Sequence, residues 1–258
     1  MSKLKKIEKC NICCKEKKIS FDHVPPKACM TLKKMTVKSL LSTILGNNLT
    51  FDNYKLNRHF QNGIGYDTIC AKCNSDLGAY YDVTLSKLIN ELISIFKSKI
   101  YIPSIFSLET NPLKLIKSIL GHSLSASLNF PNTVLDEKIR PLIFDKNKSI
   151  IESINIYYYI SPIKNPYALQ NFTLIPNNNP SSSILIKLIH FYPITFIVTE
   201  YNGFDLLNLA SYRNYKNNDY AKIKFDKLKI LPYNFPSTKN FMLIPGGDSY
   251  IISNNYGG

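Results

Sequence analysis

Two C-x-x-C pairs, Cys10-Asn11-Ile12-Cys13 and Cys70-Ala71-Lys72-Cys73, constrain this 258-residue chain more than any other feature. Each pair can turn as a knuckle that presents two thiolates to one tetrahedral zinc ion. The long stretch from Cys13 to Cys70 excludes a compact zinc ribbon and requires an inserted element between the knuckles. Four cysteines complete the coordination sphere of zinc, so the ion is expected to be structural, with no open position for water or substrate. Cys14 and Cys29 are left over: the paired spacing selects Cys13 over Cys14, and Cys29 reads as a buried thiol.

Compartment follows from the same residues. Met1 to Lys9 is charged and carries no apolar core of signal-peptide length. A cytoplasmic protein is therefore expected, and in that setting C-x-x-C pairs hold metal more often than they form disulfides. The longest apolar stretch, Ile184 to Val198, is interrupted by Lys187, His190 and Pro193, so no membrane partner is expected.

Charge points to a partner. Lys plus Arg number 32 against 18 Asp plus Glu, a formal net charge of +14. Every cysteine lies at or before Cys73, in the part of the chain where the basic excess per residue is also greatest. An excess of this kind fits a polyanion, with nucleic acid ahead of a membrane surface. With 45% hydrophobic residues the chain can bury a core, which excludes global disorder.

Patterning divides the chain into three stretches. Residues 1–82 hold the cysteines, a short strand before Pro25-Pro26, an apolar segment from Met35 to Leu45 that reads as a helix ended by Gly46, and a polar loop from Asn47 to Asn62. A strand over Tyr66–Ile69 and a helix from Ala71 through Tyr81 follow. Residues 83–148 read as a mostly helical connector. Leu85, Leu88, Ile89, Leu92, Ile93 and Phe96 recur at helical spacing, and Asn111-Pro112 begins another helix over Leu113–Leu120. Residues 149–258 are rich in Ile, Tyr, Phe, Val and Thr, in runs separated by Asn, Pro and Ser, and read as an antiparallel β-rich domain. Tyr157-Tyr158-Tyr159 fits alternate packing on the two faces of a strand better than a base-stacking platform. The fold class is α+β.

Between the knuckles lies Phe21-Asp22-His23-Val24-Pro25-Pro26-Lys27, and Asn74 directly follows the second pair. Together with the segment from Gln61 through Cys70, Cys73 and Asn74 to Tyr80, these residues resemble the HNH (ββα-metal, His-Me finger) endonucleases. The resemblance is closest to members with a four-cysteine zinc site and an Asp/Glu-His-Val-Pro-Pro-Lys motif. It covers residues 10 to about 82 and implies a zinc-stapled ββα-metal nuclease module over 1–82.

The roles it implies suit the side chains. Phosphodiester hydrolysis needs an activated water, a base and a cation on the phosphate oxygens. Histidine is the side chain suited to proton transfer near neutrality, and the resemblance makes His23 the base. Asp22 is a hard oxygen ligand for Mg²⁺ or Mn²⁺, and Asn74 supplies a second oxygen by resemblance. On a strand Asp22 and His23 point to opposite faces, so the resemblance implies a bend there. The family's middle Asn would lie on the strand before the second knuckle. Asn62 falls too early, which leaves Asp67 or a backbone carbonyl for that role. His59, His122 and His190 have no comparable frame.

The expected function is metal-dependent endonucleolytic cleavage of nucleic acid, of double-stranded DNA before RNA. Zinc would be structural and Mg²⁺ or Mn²⁺ catalytic. Lys15, Lys17, Lys18, Lys27, Lys33, Lys34 and Lys72 are the candidate phosphate contacts. By analogy, proteins of this type serve phage defence or mobile elements. One alternative is a non-catalytic zinc module that binds nucleic acid or a protein; another is a regulatory or toxin-like subunit whose C-terminal sheet senses a ligand or partner and holds the nuclease idle, and residues 149–258 are where a protein partner or second copy would engage.

Overall fold

The computed structural model describes residues 7–29, 35–39, 57–60, 63–98, 101–164, 166–227, 241–244 and 250–253. Strands β1 (Ile7–Lys9), β2 (Glu16–His23) and β5 (Gly65–Cys70) form one antiparallel sheet in the order β1-β2-β5. Helix α1 (Ala71–Leu77) starts directly at the end of β5. It runs through a π-turn (Gly78–Asp82) into α2 (Val83–Lys97), so the two helices expected from periodicity are one rod with a wider turn inside it.

Helix α3 (Pro112–Ser125) is the centre of the molecule. Asn111 accepts the Lys114 backbone N–H at 2.8 Å and Pro112 takes the first position, so the helix begins where Asn111-Pro112 marks it. Every residue of α3 except Lys114 is buried. Gly121 allows a close approach, since a Cβ there would lie 2.4 Å from Leu77 of α1. Helix α4 (Val134–Phe144) opens with a capping box between Thr133 and Asp136.

A large antiparallel sheet lies beyond the helices. Among the described residues its order is β11 (Leu207–Asn208), β7 (Asn155–Ile160), β10 (Ile194–Thr199), β9 (Ile184–Phe191), β8 (Tyr167–Pro176), β14 (Tyr250–Ser253), β3 (Met35–Ser39) and β4 (Asn57–Phe60), with β13 (Phe241–Ile244) also on β8. Strands β6 (Ile105–Thr110) and β12 (Ala221–Asp226) pair separately. The fold is thus α+β with antiparallel sheets, and no helix among the described residues is long and apolar enough to cross a membrane.

Residue alternation supplies both faces of the sheet. Tyr158, Phe196, Ile189 and Phe191 join a core shared with α3 and the cysteine module, whereas Tyr157, Tyr159, Leu188 and Ile197 form a second cluster with Tyr201 and Phe204. The three tyrosines are packing residues, and the Tyr158 hydroxyl donates to Lys224 O at 2.7 Å. Lys187 on the helix-facing side meets Asp136 at 2.8 Å, and both are fully buried. This pair ties the start of α4 to β9.

Strands β3, β4 and β6 differ from the sequence reading, β6 falling in the stretch expected to be mostly helical. Met35–Ser39 is a strand, not the start of a helix: it lies between β14 and β4, and Thr36 and Val37 are the β-branched residues such a ladder favours. The rest of that expected helix lies outside the described residues. The expected loop over Asn47–Asn62 contains β4.

His190 gives the sheet a pH dependence. Its Nε2 faces Ile163 O at 2.9 Å and its Nδ1 faces Thr195 Oγ1 at 2.8 Å. A carbonyl only accepts, so Nε2 carries the proton and the threonine hydroxyl donates to Nδ1. Burial pushes the imidazole down from 6.5 to about 4. The unfolded chain then binds a proton between those values that the folded chain refuses. Stability from this site is full above pH 6.5 and falls as pH drops towards 4, by about 2–3 kcal/mol at pH 4.5. Urea unfolding at pH 7 and pH 4.5 should show an acid loss smaller by about that amount in His190→Gln than in the parent; equal losses would remove His190 as a cause.

Candidate metal centre and adjoining site

Four sulfur atoms converge where β1, β5 and α1 meet. Cys10 follows β1, Cys13 lies in the turn after it, Cys70 ends β5 and Cys73 occupies the first turn of α1. The turn is closed by Cys14 N–H to Cys10 O at 2.9 Å and Cys10 N–H to Lys15 O at 3.0 Å. Cys14 has φ 60°, and its side chain is exposed. The sulfurs of Cys10, Cys13, Cys70 and Cys73 all lie within 4.8 Å of one another, and Cys13 and Cys70 are 3.9 Å apart. A tetrahedron with Zn–S bonds of about 2.3 Å has S···S edges of about 3.8 Å. The donor set and its spacing fit zinc.

Without an ion four clustered thiols cannot all ionise. The hydrogen bond with Cys73 holds Cys10 down at about 4 and drives Cys73 upward, while burial pushes Cys13 up. A divalent cation removes the conflict by favouring four thiolates together. Cys29 stands apart: its thiol is 3.2 Å from Ser86 Oγ, and burial pushes it up to about 12, which fits the inert buried thiol expected.

The cysteine module docks on the C-terminal end of α3. Asn11 Nδ2 donates to Leu124 O at 2.9 Å and Ser127 O at 2.7 Å, and Thr68 Oγ1 donates to Ser125 O at 2.6 Å. Terminal carbonyls that the helix cannot satisfy are thereby paired. Arg140 of α4 donates in turn to Asn11 O at 3.0 Å.

Next to this lies the end of β2. Pairing with β5 shifts register between Ser20 and Phe21, after which His23 stands opposite Gly65. Phe21 and His23 share one face, with their rings edge to face at 4.9 Å. Gly65 is the floor under Phe21, because a Cβ there would be 2.3 Å from the ring. Asp22 turns the other way and is 4% exposed. Asn74, one residue after the last cysteine, donates to Phe21 O at 2.9 Å and to Ser20 Oγ at 3.3 Å. Asp22, His23 and Asn74 are therefore brought to one end of β2, with Asp22 and His23 on opposite faces.

Asp22 meets a buried polar chain. Ser125 Oγ donates to its Oδ2 at 2.5 Å, and His122 Nδ1 lies 3.5 Å from the same oxygen, an ion-pair contact longer than a good hydrogen bond. On the other side His122 Nε2 donates to Asp82 Oδ1 at 2.9 Å, and Ser118 Oγ donates to that oxygen at 2.7 Å. Burial opposes charge on the imidazole, but the carboxylates of Asp82 and Asp22 outweigh it and raise His122 to about 10. Burial would also raise Asp82, yet the His122 charge and the two hydrogen bonds hold it below its ordinary range. Sequence reasoning did not find His122, Asp82 or Ser125. They lie far along the chain from their partners and form no local motif.

The bonds that hold Asp22 use Oδ2 and those that hold Asn74 use Nδ2. None of these bonds involves Oδ1 of either residue. Asp67 lies on β5 opposite Phe21. Lys15, Lys17 and Lys18 are exposed on and beside the β1–β2 hairpin, Lys27 is exposed on the 3-10 turn after it, and Lys72 is exposed in α1 and paired with Asp76 at 2.8 Å. Lys33 and Lys34 lie outside the described residues.

The chain matches no protein-family model, no curated protein and no solved structure. What stands on geometry is a four-cysteine cluster able to hold zinc, joined through Asn74 to the end of β2.

Zinc held by four thiolates should contribute on the order of 10 kcal/mol to this module. Metal analysis of purified protein should find one zinc per chain. Cys73→Ser should lose it and lower the folded yield, and Cys29→Ser should keep it. Folded parent protein without zinc would overturn the assignment.

Proposed function

We propose that the chain is a metal-dependent endonuclease of the HNH type that cleaves DNA, with zinc as a structural staple. One observation carries this reading: Asn74, fixed to the last cysteine, is hydrogen-bonded to Phe21 O, beside Asp22 and His23. The three residue types that the chemistry needs thus share one strand end.

In this proposal His23 takes the proton of the attacking water on one imidazole nitrogen. Phe21 and Gly65 set the ring on the outer face of β2. Asp22 and Asn74 would hold Mg²⁺ or Mn²⁺ through Oδ1. When bound, that ion supplies positive charge to the phosphate and the leaving oxygen. Exposed Lys15, Lys17, Lys18, Lys27 and Lys72 position the backbone of a duplex without reading its sequence.

A second reading has its own observation. The Asp22 carboxylate is buried against Ser125 and His122, as a structural anchor would be. On that reading the module binds nucleic acid or a protein and cleaves nothing.

Plasmid incubated with zinc-loaded protein and Mg²⁺, Mn²⁺ or EDTA separates the two. The nuclease reading expects cleavage that EDTA abolishes and that His23→Ala slows by roughly 10²–10⁴-fold, with zinc content and DNA affinity unchanged. Parent-like cleavage by His23→Ala would sink the assignment of the base.

If about five phosphates are contacted, log affinity should fall against log salt with a slope of roughly −4 to −5. Each Lys→Ala change should shallow that slope by about one unit. Binding indifferent to ionic strength would remove nucleic acid as the partner.

A further inference from the structure

We infer that Ser125 and His122, both on α3, are positioning residues that hold the Asp22 carboxylate in the one orientation from which Oδ1 can ligate a divalent cation. This rests on the nuclease reading above and extends it to residues outside the resembling segment.

The contacts run one way through the core. Ser125 Oγ fixes Oδ2 of Asp22 at 2.5 Å, and the His122 ring backs the same oxygen at 3.5 Å. The ring itself cannot rotate freely, because its far nitrogen is bonded to Asp82 at 2.9 Å and Asp82 is held by Ser118 at 2.7 Å. Both serines and the histidine are fully buried on α3. Each link ends on a helix that is itself packed on all sides, so the carboxylate inherits the rigidity of the core. An aspartate on a strand end otherwise has free χ rotation, and a single carboxylate with one amide oxygen makes a weak Mg²⁺ or Mn²⁺ site unless it is pre-oriented.

Other groups in the molecule point elsewhere. Lys117 is buried on α3, but its ammonium is consumed by Leu142 O and Asp145 O at the end of α4. The Lys187–Asp136 pair joins α4 to the sheet and faces no opening.

The deciding variant is Ser125→Ala, which removes one hydroxyl and leaves the imidazole in place. Ser125→Thr restores a hydroxyl, and His122→Gln tests the second contact. Mn²⁺ binding to zinc-loaded protein is read by electron paramagnetic resonance, and the Mn²⁺ concentration for half-maximal plasmid cleavage is read beside it. Loss of an outer partner of a metal ligand costs about 10–100-fold in metal affinity. Ser125→Ala and His122→Gln should weaken Mn²⁺ binding by that factor and shift half-saturation equally. The rate at saturating Mn²⁺ should stay within a fewfold of the parent, Ser125→Thr should recover most of the affinity, and zinc should remain at one per chain. A merely structural role would lower stability and saturating rate without this split.

Mn²⁺ affinity within twofold of the parent in folded Ser125→Ala would overturn the inference while leaving the nuclease reading intact. A parent protein that binds no Mn²⁺ and cleaves nothing would overturn both, and that failure appears before any variant is made.

Discussion

A helix buried on every side cannot leave its polar groups without partners, and α3 carries Lys117, Ser118, His122, Ser123 and Ser125 into the core. Each such group left unpaired would cost about 1–3 kcal/mol, more if charged. Ser123 donates to Leu120 O of the same helix, and the partners of the others come from separate parts of the chain. Asp22 is on β2, Asp82 on the π-turn, and Leu142 O and Asp145 O at the end of α4. The last carbonyls of the helix are taken by Asn11 and Thr68. Because these bonds have fixed directions, α3 sets where the cysteine module and both neighbouring helices lie. Apolar contacts alone would permit more than one docking.

A zinc ion at the four cysteines would act at one remove from the chemistry proposed here. Its four sulfurs join the turn after β1 to the junction of β5 and α1, closing the long loop from Cys13 to Cys70. The gain is positional. Asn74 follows Cys73 by one residue, so an ion that fixes the first turn of α1 would also fix the amide that reaches Phe21 O. The same turn presents Asn11 to α3. Cysteine cluster, buried helix and strand end are therefore one connected unit.

Local patterns were legible in the sequence to the extent that local physics decides them. The C-x-x-C pairs came together as their spacing requires, Asn111-Pro112 opened a helix, and alternation in residues 155–199 gave strands packed on both faces. Met35–Ser39 reads as helical because a short apolar run has no decisive period. Its strand form comes from β14, a partner remote in sequence. Ile105–Thr110 went unread because its partner β12 is also remote. At the proposed site, the candidates His23, Asp22 and Asn74 stand out through their frame of cysteines and prolines. His122 does not, since a histidine inside an apolar helix carries no mark of the two carboxylates that tertiary structure brings to it.

Those carboxylates bear on how two adjacent residues of one strand can serve one reaction. Val24 N–H bonds to Ile64 O, so the backbone groups of Asp22 and Val24 face β5 and those of Phe21 and His23 face the other edge. Among the described residues β1 pairs with β2 as far as Lys18, and Asn74 reaches Phe21 O at that edge. Under the proposal, a cation held by Asn74 would lie near this edge. Asp22 and His23 stay on opposite faces of the strand beside that edge, as strand alternation requires. The resemblance implies a bend here, and the described irregularity of β2 lies just before these residues, between Ser20 and Phe21. The register shift at Ser20–Phe21 sets the strand end against α1, and α3 holds the inner carboxylate in place.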